Sequence, residues 1–265
     1  TYRSTFKTLN ELNQSEMRLG GLRINPVTNI SSSVNYINNV KLRKVSDSVE
    51  QQVKGLPKDA LISNLMWSPN EKKIAFTHTT SNAVELWVID VASAQAKRLS
   101  TAKLNANLDN PFVWFKDSEN LLVKVLPKNR PALLDASKDL PTGAIISNAD
   151  GSVSQNRTYP DLLKNRNDEI NFENIASSEL HKVHVSGTST LWKKADMYAG
   201  ESFSPDGKLL MLTTIQKPFS YIVPINRFPS KTIITDIAGK PIKTVNEVPL
   251  TETMPKGFSA TREGK

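Results

Sequence analysis

Trp67-Ser68-Pro69-Asn70-Glu71-Lys72-Lys73-Ile74-Ala75-Phe76 decides the fold, because the same succession of residue types returns twice further along the chain. Phe203-Ser204-Pro205-Asp206-Gly207-Lys208-Leu209-Leu210-Met211-Leu212 repeats it closely, and Trp114-Phe115-Lys116-Asp117-Ser118-Glu119-Asn120-Leu121-Leu122-Val123 repeats it in degraded form. An aromatic residue leads into a turn, and an apolar strand leads out. In the Ser-Pro-Asx turn, proline presets φ, Asx tolerates or bonds the next position, and Gly207 supplies a positive φ. Two strands therefore meet there as a hairpin. The aromatic before each turn is expected to be a buried core anchor, which is a packing role and not a catalytic one.

Spacing sets the architecture. From Trp67 to Trp114 is 47 residues, and from Trp114 to Phe203 is 89, close to two such steps. A period of that size built from short strands is the signature of propeller blades. Glu85-Leu86-Trp87-Val88-Ile89-Asp90-Val91 is matched by Glu179-Leu180-His181-Lys182-Val183-His184-Val185, and more loosely by Thr232-Ile233-Ile234-Thr235-Asp236-Ile237. Each is followed by a small turn and another strand. The fold class is all-β: a partial β-propeller of about four blades, each a four-stranded antiparallel sheet, with a mostly loop and short-helix insertion.

Residues 1–20 read as a polar lead-in, irregular or weakly helical, and 21–265 as an incomplete propeller. Its blades are expected at about 21–60, 61–100, 110–193 and 198–250, with a further blade starting at 255–265. The distance from the aromatic to the Glu-Leu pair is 18 residues in the second blade and 65 in the third. The excess is an insertion at about 127–176, and such excursions are often functional. Pro160 sits at a plausible first helical turn, and Leu162, Leu163, Phe172 and Ile175 offer short helices an apolar face. The insertion reads either as a lid over a propeller mouth or as a flap covering a blade edge. A smaller insertion, 217–229, falls between the second and third strands of the fourth blade. Propellers close with typically four to eight blades, so the sequence is expected to be part of something longer. A complete four-bladed propeller is the competing reading.

The bounds on chemistry are mostly exclusions. No apolar run is long enough for a membrane span. The chain opens on no charged start leading into an apolar run, so any signal peptide is expected to have been removed or never encoded. The absence of cysteine removes disulfides, thiolate zinc sites and cysteine nucleophiles. The net charge of +8 is spread along the chain rather than massed in one stripe, which argues for a solvated basic surface and against nucleic acid. Gly200-Glu201-Ser202-Phe203-Ser204 lacks the final glycine of a serine-hydrolase elbow, so Ser202 reads as structural. His78, His181 and His184 fit no zinc motif, and the last two, three apart, point to opposite faces of a strand. No catalytic residue, metal or cofactor is expected. Asn29-Ile30-Ser31 and Asn156-Arg157-Thr158 match the glycosylation acceptor pattern, which also arises by chance.

Gly21-Leu22-Arg23-Ile24-Asn25-Pro26, Glu85-Leu86-Trp87-Val88, Gln155-Asn156-Arg157-Thr158-Tyr159, Gly200-Glu201-Ser202-Phe203-Ser204-Pro205-Asp206-Gly207 and Pro218-Phe219-Ser220-Tyr221, with Arg227-Phe228-Pro229-Ser230, resemble the propeller of a prolyl oligopeptidase family serine peptidase. The resemblance is greatest to the glutamyl endopeptidase-like branch of plastids and Bacteroidetes-type bacteria. It runs from about Arg18 onward, although the Ser-Pro-Asp-Gly turn alone fits any TolB-type propeller. It implies a propeller that gates peptides to a C-terminal α/β-hydrolase domain, which is absent from this chain. The chain by itself is then inert. Cleavage after Glu needs a cation facing the substrate carboxylate, and arginine suits a bidentate contact. Arg227 and Arg157, one in each insertion, are the candidate substrate-binding residues, against the alternative that each braces a loop. The expected compartment is periplasmic or secreted.

A second function class stays open: a non-enzymatic TolB-type propeller that binds proteins in the cell envelope. The residues beyond Lys265 separate the two, since a peptidase needs further blades and then a Gly-x-Ser-x-Gly elbow. A carbohydrate-binding or lyase-like propeller has no metal or aromatic cluster to support it.

Overall fold

The computed structural model describes residues 2–3, 9, 13–46, 48–100, 102–135 and 159–252. In chain order its strands are β1 (Tyr2–Arg3), β2 (Met17–Leu19), β3 (Leu22–Asn25), β4 (Ile30–Ser31), β5 (Ile37–Asn39), β6 (Lys41–Arg43), β7 (Glu50–Gln52), β8 (Ile62–Trp67), β9 (Lys73–Thr79), β10 (Val84–Asp90), β11 (Gln95–Arg98), β12 (Phe112–Trp114) and β13 (Asn120–Val125). Helix α1 (Arg166–Ala176) comes next, and then β14 (Ser178–His184), β15 (Ser189–Asp196), β16 (Tyr198–Phe203), β17 (Leu209–Ile215), β18 (Ser230–Asp236) and β19 (Pro241–Val248).

Three antiparallel meanders dominate: β8-β9-β10-β11, β12-β13-β14-β15 and β16-β17-β18-β19. They are successive blades of a partial β-propeller. The strands alternate by face as a two-sided sheet requires. Ala75, Leu86 and Val88 of the first meander meet Leu121, Val123 and Val183 of the second, forming one buried layer. Leu122 and Leu180, on the second meander's opposite face, meet Tyr198, Leu210 and Leu212 of the third.

The repeated turn is built alike in all three blades. Its fourth residue is left-handed each time: Glu71 at φ 59°, Ser118 at 60° and Gly207 at 73°. Ser68 Oγ donates to Asn70 Oδ1 and accepts from the Lys73 amide, and Ser204 does the same with Asp206 and Leu209. In the degraded copy Asp117 takes over, accepting from the Glu119 and Asn120 amides. Neighbouring turns also touch. The Asn70 amide donates to Ser118 Oγ, and a Cβ on Gly207 would lie 2.4 Å from Lys116 Cβ, so glycine is needed for closeness as well as for φ.

The anchors do not all behave as expected. Trp114 is buried and donates from Nε1 to the Met66 carbonyl at 3.1 Å, and Phe203 packs on Phe115 with ring centroids 4.7 Å apart. Trp67 is 52% exposed, which corrects its reading as a core residue. Each anchor faces the sheet that precedes its own. For Trp67, paired with Ile74, that side is covered by Val40, Val53 and neighbouring short segments, which pack on Ile62, Ile74 and Phe76 and leave the indole half bare. Trp114→Ala is expected to cost about 3–5 kcal/mol, and Trp67→Ala roughly 1 kcal/mol or less, as read from urea unfolding midpoints.

Residues 17–60 distribute their strands differently. β2-β3-β4 form a three-stranded sheet, β6-β7 a two-stranded one, and β5 pairs through Ile37 with Ile62 on the free edge of β8. The expected irregular lead-in instead supplies β2, because Leu19 has a core to enter and is buried there. The expected strand start at 255–265 lies outside the described residues.

Candidate functional site

The connections between the second and third strands of every blade emerge from one end of the sheets, as do the links between blades. Both insertions belong to that end, the first leaving β13 after Val125 and the second leaving β17 after Ile215. The three-stranded sheet β2-β3-β4 joins them through the bridge from Ile30 to Ala106. Together they cap this end of the propeller.

Helix α1 lies at the end of the first insertion. Asn165 caps it, its side chain accepting from the Asp168 amide at 2.9 Å, and Asp168 and Glu169 place negative charge on its first turn. Pro160 therefore lies outside the helix, which corrects its assignment to a first turn; an Asx cap five residues later fixes the start. The other end is held by the propeller itself. Asn105 Nδ2 donates to the carbonyls of Ile175 and Ser177 at 2.8 and 3.0 Å, and Asn107 Nδ2 also donates to Ile175. Asn171 binds both backbone groups of Leu134, pinning the start of the insertion to its end.

Phe172 stands edge-on to Phe219 and Phe228 of the second insertion, at 4.9 and 5.5 Å between centroids. Leu163, Ile175, Val223 and the N-terminal Leu19 and Ile24 complete this cluster. Gly21 allows the close approach: its φ is 85°, a Cβ there would lie 2.7 Å from Pro224 Cβ, and its amide donates to the Asp161 carbonyl. Asp161 in turn accepts from Arg23 Nε at 2.7 Å and faces Arg18 at 3.6 Å. The described part of the first insertion is thus packed into a core, as a covering flap would be. Beside it a groove of about 480 Å³ opens, lined by Glu16, Arg18, Arg23, Tyr36 and Thr79 among others.

Arg227 closes a 3-10 turn, Ile225–Arg227, immediately before Phe228. Its Nη1 is buried and has no hydrogen-bond partner among the described residues. Arg157 lies outside the described residues. Arg130 is a third arginine of the insertions, outside the two candidates named from the sequence. Arg130 is half-buried, donates to Asn29 Oδ1, and has its pKa lowered by burial alone. Nothing in the local sequence distinguishes it from any other surface arginine. Asn29, 2% exposed and bonded to Arg130, is not an accessible glycan acceptor in the folded protein, while Asn156 lies outside the described residues.

His181 and His184 have separate partners, Glu179 with Ser189 and Ser186 respectively, on opposite faces of β14. No group of three or more metal-ligating side chains occurs among the described residues. No described helix is long and apolar enough to cross a membrane.

No family model matches the sequence. A protein of Oryza sativa subsp. japonica named "probable glutamyl endopeptidase, chloroplastic" is 33% identical over 277 residues, covering 99% of this chain and 29% of the relative. Nearly the whole chain is similar to one part of that relative. A protein of the same name from Arabidopsis thaliana is 30% identical over 99% of this chain and 28% of its own length. The chain thus spans under a third of the curated glutamyl endopeptidase relatives it matches. A solved prolyl endopeptidase aligns with a TM-score of 0.50 at 13% identity, over 89% of this chain and 30% of that one, and supports the propeller fold.

Proposed function

We propose that this propeller gates peptides to the catalytic domain of a serine peptidase that cleaves after glutamate, the α/β-hydrolase domain lying beyond this chain. The observation that carries the reading is the match along 99% of the chain to relatives named for that activity. The capped end supports it. There a partly buried guanidinium, Arg227, keeps one nitrogen unbonded among the described residues. A buried donor without a partner costs free energy, and a substrate carboxylate would satisfy it through a charge-assisted pair. Peptides are the substrates proposed, and a periplasmic or secreted compartment is proposed with them.

The test uses the full-length protein and matched peptides carrying Glu, Gln or Asp before the scissile bond. Arg227→Ala is expected to lower kcat/KM for the Glu peptide by about 10- to 100-fold, the size of a lost charge-assisted bond, and to leave the Gln peptide unchanged. Arg227→Lys recovers part of the loss, because a lysine keeps the charge without the planar fork. Equal rates on Glu and Gln peptides in the unsubstituted protein would overturn the specificity. No hydrolysis of any peptide would favour a binding propeller.

A further inference from the structure

The remaining charged groups at the capped end are mostly accounted for. Arg18 and Arg23 face Asp161, and Arg166 faces Glu169. Arg130 differs, because the one side-chain hydrogen bond it makes among the described residues is to the neutral amide oxygen of Asn29. That oxygen is itself firmly placed. Asn29 is buried with φ 59°, its amide donates to Asn25 O, its carbonyl accepts from the Ala106 amide, and its Nδ2 donates to Val27 O. One guanidinium nitrogen is therefore fixed, and the rest of the fork is left for another acceptor.

Half-burying a guanidinium against a neutral partner is unfavourable compared with leaving it in water. Groups held in that state mark candidate functional sites. The position agrees. Arg130 lies at the start of the first insertion, three residues before Leu133, and Leu133 packs on the same apolar cluster that contains Phe228, next to Arg227.

We infer that Arg130 binds a second carboxylate of the peptide, apart from the glutamate side chain assigned to Arg227, so that peptides with two acidic groups are preferred. This rests on the peptidase reading above. The second carboxylate can belong to another acidic side chain or to the peptide's own C-terminus, and in either case a planar fork with one nitrogen pinned presents its free edge to it.

Equilibrium binding to the full-length protein tests this, using dansyl-labelled peptides, whose label carries no carboxylate, made uncleavable by N-methylation of the amide after Glu. One peptide has a single Glu and an amidated C-terminus, a second has the same Glu and a free C-terminus, and a third has two Glu residues and an amidated C-terminus. Arg130→Gln is expected to weaken one or both of the two-carboxylate peptides about tenfold, as loss of one charge-assisted contact would. Binding of the single-Glu amide should not change, and which peptide responds identifies the source of the carboxylate. Arg130→Lys retains a donor for Asn29 and the thermal midpoint, but should also weaken binding because the fork is gone. Equal weakening of all three peptides, no weakening of any, or a fall in thermal midpoint without a change in binding would overturn the inference and leave Arg130 as a brace for Asn29. Failure of the unsubstituted protein to bind any of the three would overturn it as well. The glutamate assignment fails separately: Arg227→Gln would then leave the single-Glu amide unaffected, while the second-carboxylate comparison is still read from Arg130→Gln.

Discussion

Replacing Lys124 by Met should lower folding stability by about 3–5 kcal/mol, the usual cost of leaving one member of a buried ion pair alone. Lys124 on β13 and Glu201 on β16 meet at 2.9 Å with side chains 2% and 3% exposed, joining two adjacent blades. Lys124 Nζ also donates to the Leu108 carbonyl at 2.7 Å, whereas Glu201 Oε1 has no partner among the described residues. Burial pushes the Glu201 carboxyl above the ordinary carboxylate range, and the Lys124 ammonium offsets part of that.

A raised folded pKa means that Glu201 contributes stability that is fully present below its unfolded value, near 4.5, and lost as pH rises through the folded value. Without Lys124 the folded pKa moves higher still. The deficit of Lys124→Met should therefore be largest near pH 8 and shrink towards pH 5, as followed by urea midpoints at both pH values. The double change Lys124→Met with Glu201→Leu should be near neutral or stabilising by about 1–4 kcal/mol. A double variant as weak as Lys124→Met alone would show that the pair is not a net desolvation burden.

Phe172→Ala should cost about 3–5 kcal/mol. The ring is fully buried and contacts the rings of both Phe219 and Phe228, so its loss opens a cavity where the two insertions meet. Phe172→Leu fills part of that volume and should cost less. The effect should be local as well as global. Amide hydrogen exchange should rise first in 159–177 and 217–229, while β9 and β10 keep their protection until global unfolding. Uniform loss of protection across the blades would mean that the cap and the blades unfold as one unit.

The turns and the strand pattern were readable because both depend on neighbours in the chain. Ser68, Asp117 and Ser204 bond amides within five residues, and β10 and β14 alternate faces by the period of an extended chain. The start of α1 was also local, set by Asn165 with Asp168 three residues on rather than by Pro160. Arg227 and Arg130 are a different case. Arg227 was singled out by its place in the second insertion, whereas the neutral partner of the Arg130 side chain, Asn29, lies 101 positions away and only the tertiary structure brings the two together.

By itself, the sequence determined the all-β repeat, the blade turns, the two insertions and the kinship with peptidase propellers, because these rest on local backbone chemistry and on long recurring motifs. Only the tertiary structure decided that Trp67 is half exposed while Trp114 is buried, that Lys124 and Glu201, 77 positions apart, share one dry site, and that both insertions close on Phe172. Burial and pairing depend on what a neighbouring sheet brings to within a few ångströms, and residues far apart in the chain supply it.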